Sequence, residues 1–92
     1  MEDIQKTLQE FRNQIDTIDK ELVYLLSRRF ELVSSVWDLK KMISMQTLQP
    51  NRWNEVLQKI KDYSEEYWVN PNFTHEVWEL IHKEALSIEN NK

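Results

Sequence analysis

Glycine and cysteine are both absent from these 92 residues, and proline occurs only at Pro50 and Pro71. Without glycine, tight turns and Gly-rich phosphate loops are excluded and β-hairpins are disfavoured. Without cysteine there are no disulfides, no thiolate nucleophile and no cysteine-based zinc site. Long apolar runs are missing as well. The longest, Leu22-Val23-Tyr24-Leu25-Leu26, is far too short to span a bilayer. Excess positive charge is also lacking: the net charge of −4 argues against a nucleic-acid binder, although it leaves room for a local basic pocket. The acidic start, Met1-Glu2-Asp3, does not read as a signal peptide. The expectation is one soluble, cytoplasmic, all-α domain over residues 1–92, with a modest core.

What is present is periodicity. Ile4, Leu8, Phe11, Ile15, Ile18, Leu22, Leu25, Arg29, Leu32, Val36, Leu39 and Ile43 follow one another in steps of four and three, the spacing of one helical seam. All are apolar except Arg29. A guanidinium in such a seam is costly to desolvate unless an anion meets it. That anion is either a carboxylate of the protein or a bound ligand. The seam predicts a first helix over about residues 4–43, roughly 58 Å long at about 1.5 Å per residue. A compact chain of this size has a radius of gyration of only about 12 Å, so the rod needs a second copy to cover its apolar face. The competing reading is a kink near Ser34-Ser35 that folds the helix on itself, but the pattern runs through both serines.

Residues 44–49 read as a polar connection, and Pro50 suits the first position of a second helix. Its inward face carries Trp53, Val56, Leu57, Ile60 and Tyr63. Asn70-Pro71 reads as a cap followed by proline at the first position of a third helix, whose stripe is Phe73, Val77, Leu80, Ile81, Ala85 and Ile88.

A seven-residue row, Arg12, Asp19, Leu26, Val33 and Lys40, runs beside the seam. Arg12 and Lys40 lie about 42 Å apart along a helix and cannot share one small ligand within one chain. If two copies pair antiparallel about Leu26, Arg12 of one comes level with Lys40 of the other. Arg29, about three turns before Lys40, faces nearly the same way. Each cation has a plainer role available. Arg29 could set interface register, and Lys40 could be a solvated or dipole-compensating lysine. Arg52, in the first turn of the second helix, is badly placed for the helix dipole and points to an anionic partner. Four cations able to meet in one dimeric pocket point to an anionic ligand.

Other side chains are read more plainly. His75, Glu79 and His82 share a face of the third helix at spacings that a metal would accept, but a wet helical face is the preferred reading. Asp16 and Asp19 read as structural or ion-paired. Lys59 and Lys61 are balanced by Asp62, Glu65 and Glu66 on a solvated face. No metal and no cofactor is expected.

Several stretches resemble the all-α chorismate mutases. Phe11-Arg12-Asn13-Gln14-Ile15-Asp16-Thr17-Ile18-Asp19 is similar to the opening of their first helix. Leu25-Leu26-Ser27-Arg28-Arg29-Phe30-Glu31-Leu32 resembles its middle, and Lys40 falls at the family's lysine spacing. Arg52 with Val56-Leu57 resembles the start of their second helix. Asn70-Pro71-Asn72-Phe73 with Trp78-Glu79-Leu80-Ile81 resembles their third. The resemblance implies an intertwined homodimer of three-helix chains with two shared sites. It implies that Arg12 reaches into the partner's site, that Arg29 binds a carboxylate, that Lys40 contacts the ether oxygen and a carboxylate, and that Arg52 helps hold the substrate's negative face.

The departures from the family pattern matter equally. The family usually has Asp at Gln49 and Glu at Trp53, acids that serve the ring hydroxyl, often Ser at Ala85, and often Gln at Glu89, where it donates to the ether oxygen. Glu89 can donate only when protonated, so activity should decline as pH rises through its titration, unless the residue faces solvent in a frayed tail. Trp53 either closes the pocket or packs as core. Trp37 stands where the family commonly has a small residue, and either reshapes the site or points outward. Related isochorismate-pyruvate lyases also lack both acids. The implied function is chorismate-to-prephenate rearrangement. The alternatives are an isochorismate-pyruvate lyase or an amino-deoxychorismate mutase on the same scaffold, and, from another class, a non-catalytic helical dimer that docks onto or regulates a partner enzyme.

Overall fold

The computed structural model describes residues 2–42 and 51–91. They form three helices, α1 (Glu2–Met42), α2 (Arg52–Glu66) and α3 (Pro71–Asn90). No strand occurs among the described residues, as expected for a chain without glycine. The backbone stays α-helical at Ser34 and Ser35. Ile43, the connection 44–49 and Pro50 lie outside the described residues.

The chain divides into two units, Met1–Val33 and Ser34–Lys92. The first is helix throughout its described length. Its apolar seam is largely uncovered: Phe11 is 58% exposed and Leu25 59%. Polar side chains on this stretch satisfy each other locally, with Gln9 Nε2 donating to Asn13 Oδ1 at 2.9 Å and Thr17 Oγ1 to the Asn13 carbonyl at 3.1 Å. Such contacts support a helix but contribute little tertiary energy.

The second unit holds the end of α1 together with the packed pair α2 and α3. α3 starts as its sequence predicts: Asn70 Oδ1 accepts from the Asn72 N–H at 3.0 Å, and Pro71 follows at the first helical position. The end of α2 is less conventional. The Val69 N–H bonds the Ser64 carbonyl at 2.8 Å, wrapping around Trp68 at φ 61°. Glycine normally takes that left-handed position, and this chain has none to offer.

The interior of the second unit is small. Among its described residues, Ile81, Ala85 and Ser64 are buried. Ser64, only 4% exposed, has a side chain small enough for α3 to pack closely against α2. Its hydroxyl donates to the Ile60 carbonyl at 2.6 Å and shares a 2.6 Å hydrogen bond with the Thr74 hydroxyl, so the buried polar atom is satisfied. Trp53, Val56, Leu57 and Ile60 are half-buried as expected, but Tyr63 is exposed. On α3 the covered stripe is Thr74, Val77, Trp78, Ile81, Ala85 and Ile88. Phe73 and Leu80, expected inside, are exposed. At about 100° per residue they lie roughly a quarter turn from the middle of that stripe, on a side that α2 does not reach.

Candidate active site

The expected cations are placed by α1 and by the start of α2. Arg12 is exposed on α1. Arg29 is half-buried and engaged by a partner, in a seam whose apolar members are exposed. Lys40 is half-buried in the last turn of α1, and its Nζ lies 4.4 Å from the centre of the Trp37 ring, one turn earlier. A cation over an aromatic face is held by the ring's quadrupole. Trp37 therefore fixes where Lys40 rests, a role that its sequence position alone did not reveal.

Arg52 opens α2 with its guanidinium Nη1 2.6 Å from Glu55 Oε1. Glu55 also lies 3.5 Å from Lys59 Nζ. The anionic neighbour sought for Arg52 is thus, in the isolated chain, a carboxylate on its own helix. Both side chains are about half-exposed, so the pair is worth about 1 kcal/mol or less and can be exchanged for another anion. Gln49 lies outside the described residues.

α2 and α3 bring Trp53 onto His82. The ring centroids are 4.0 Å apart and the planes are inclined by 15°. Trp53 is neither wholly core nor open to solvent; it is half-buried and covers one face of the imidazole. Ala85, one turn after His82, is buried. Glu89, one turn further, is half-buried, and its Oε2 is shielded from water without a hydrogen-bond partner. The reading of Glu89 as a solvent-facing tail residue is therefore corrected: α3 continues to Asn90 and keeps this side chain partly covered. An orphaned carboxylate oxygen is costly in such a position, and a ligand group would relieve it. His75 pairs with Glu79 at 2.6 Å while His82 turns to Trp53, so the three do not converge on one point. Among the described residues, no group of three or more metal-capable side chains forms.

A cleft of about 350 Å³ between α2 and α3 is lined by Leu57, Ile60, Lys61, Pro71 and His75, among others. None of the expected site residues lines it. The profile of the chorismate mutase type II family matches residues 11–90. The chain belongs to that family. It is 32% identical over 85 residues to the T-protein of Enterobacter agglomerans, covering 92% of this chain and 23% of the relative. It is 30% identical over 80 residues to the bifunctional chorismate mutase/prephenate dehydratase of Aquifex aeolicus, covering 87% of this chain and 22% of the relative. With the chorismate mutase of Methanocaldococcus jannaschii it shares 26% identity over 81 residues, covering 86% of this chain and 82% of that one. The chain thus spans less than a quarter of the length of the first two relatives. No solved structure matches it. The chorismate mutase region includes every residue singled out above, from Arg12 to Glu89. From the sequence, Trp37 reads as either reshaping the site or pointing outward, and His82 only as part of a wet helical face. For His82 the available signal was its position three and seven residues before Ala85 and Glu89.

Proposed function

We propose that this chain is a cytoplasmic chorismate mutase, acting as a homodimer that converts chorismate to prephenate. The observation that carries the reading is Arg29, a half-buried guanidinium in the uncovered apolar seam of a family-member helix. Covering that seam with a second copy desolvates the arginine, which then favours a bound carboxylate. No described helix is long and apolar enough to cross a membrane.

The reaction breaks a C–O bond and forms a C–C bond within one molecule, with no nucleophile and no obligatory proton transfer. The protein has to hold a dianion in a folded conformer and to stabilise charge on the departing ether oxygen. Arginines suit the carboxylates because their forked donors bind both oxygens. In this reading Arg29 grips one carboxylate and the partner chain's copy of Arg12 grips the other. Arg52 leaves Glu55 to face the substrate. Lys40, steadied by Trp37, donates to the ether oxygen, and protonated Glu89 adds a second donor there.

The test is product analysis after incubating the purified protein with chorismate and, separately, with isochorismate. Prephenate from chorismate is the expected result. Salicylate and pyruvate from isochorismate would instead mark a lyase on the same scaffold. No turnover of either, with binding unaffected by Arg29→Ala, would mark a non-catalytic docking module.

A further inference from the structure

His82 is half-buried and makes no hydrogen bond to any described residue, and its ring stacks on Trp53. The geometry of that stack matters. A near-parallel arrangement at 4.0 Å occupies a face of the imidazole and leaves its edge, which carries both nitrogens, uncovered by the indole. The ring is therefore pinned in orientation without its polar atoms being used. A neutral imidazole offers one donor and one acceptor on that edge. On the same stripe of α3, Glu89 carries a shielded oxygen that also lacks a partner. Between them Ala85 contributes only a methyl group, and Trp53 presents an aromatic face rather than a hydrogen-bonding group. His82 and Glu89 lie about two turns apart on one face of α3, so both can line one side of a bound ligand.

We infer that His82, oriented by Trp53, is a specificity-determining residue that hydrogen-bonds the hydroxyl on the substrate's ring. This rests on the mutase reading above. The two carboxylates and the ether oxygen of chorismate are taken by the cations and by Glu89, which leaves the ring hydroxyl as the remaining polar handle. A hydroxyl can donate to the acceptor nitrogen of a neutral imidazole or accept from its N–H. A site built to bond a hydroxyl discriminates strongly against an analogue that lacks it, because the site's own polar group is then stranded.

The experiment compares kcat/KM for chorismate with kcat/KM for the analogue lacking the ring hydroxyl, in the wild type and in His82→Phe, His82→Gln and His82→Leu. His82→Phe keeps an aromatic ring for Trp53 but has no hydrogen-bonding atom. The wild type should prefer chorismate, and in His82→Phe that preference should shrink at least tenfold, with His82→Gln retaining more of it than His82→Leu. A residue that only packs would lower both rates together. An unmoved ratio in His82→Phe, or, should that variant not fold, equal ratios in the glutamine and leucine variants, overturns the inference while leaving the mutase reading intact. A wild type that leaves chorismate unchanged sinks both.

Discussion

Arg29 is half-buried and already has a partner, in a seam whose described apolar members are exposed. Arg29 becomes demanding only when the seam is covered, and its value then comes from charge-assisted hydrogen bonds worth about 1.5–3 kcal/mol. Arg29→Ala should accordingly lower kcat/KM by about 10- to 150-fold. Arg29→Lys should recover only part of the loss, since an ammonium lacks the fork that fits a carboxylate. Steady-state kinetics on folded variants decide this. Glu89 is tested by pH. A carboxyl donates only when protonated, so wild-type activity should decline toward alkaline pH. Glutamine donates at every pH, and Glu89→Gln should flatten that alkaline decline. Superimposable profiles for the two proteins from about pH 5 to about 8.5 would remove Glu89 from the chemistry.

The two ends of the α2–α3 connection behave in opposite ways. Asn70 caps α3 with its side chain, and Asn70→Ala should cost about 1 kcal/mol, seen as a lower midpoint in denaturant at unchanged slope. Trp68 closes α2 in a left-handed conformation while 95% of its surface faces solvent. The residue bears the steric cost of that backbone and gains almost no burial in return. Trp68→Gly should therefore raise stability, by about 0.5–1 kcal/mol in the same measurement. A loss of stability would mean that the indole is covered by something outside the described residues.

For the molecule as a whole, the uncovered seam of α1 is the dominant fact. Leu22→Lys combined with Leu25→Lys places charge in the middle of that seam. In sedimentation it should convert a dimer to a monomer, with mutase activity lost in parallel. Mixing provides an independent check on shared sites. Arg12→Ala and Arg29→Ala homodimers should each be nearly inactive. After unfolding and refolding together, half of the dimers are mixed, and one of their two sites escapes both substitutions. Activity should return to about a quarter of wild type. If the mixture stays as inactive as its parents, Arg12 and Arg29 serve the same chain's site.

The helices were legible in the order of the residues, as were the cations that mark the family. A seam stepping by four and three over forty residues has no strand alternative. Asn70-Pro71 specified the start of α3, and the order of Arg12, Arg29, Lys40 and Arg52 pointed to the family. Such features are local or periodic, and a single helix preserves them. Periodicity also placed Trp53, Ile81 and Ala85 on covered faces. It could not say that Ser64 rather than Tyr63 lies at the contact between α2 and α3, or that Phe73 and Leu80 stay outside, because those outcomes depend on the angle at which two faces meet. Nor could it show that Arg52 turns to Glu55, that Lys40 rests on Trp37, or that Trp53 lies flat on His82. Each depends on where a long side chain ends, several bonds from its backbone, and only packing in three dimensions selects that rotamer.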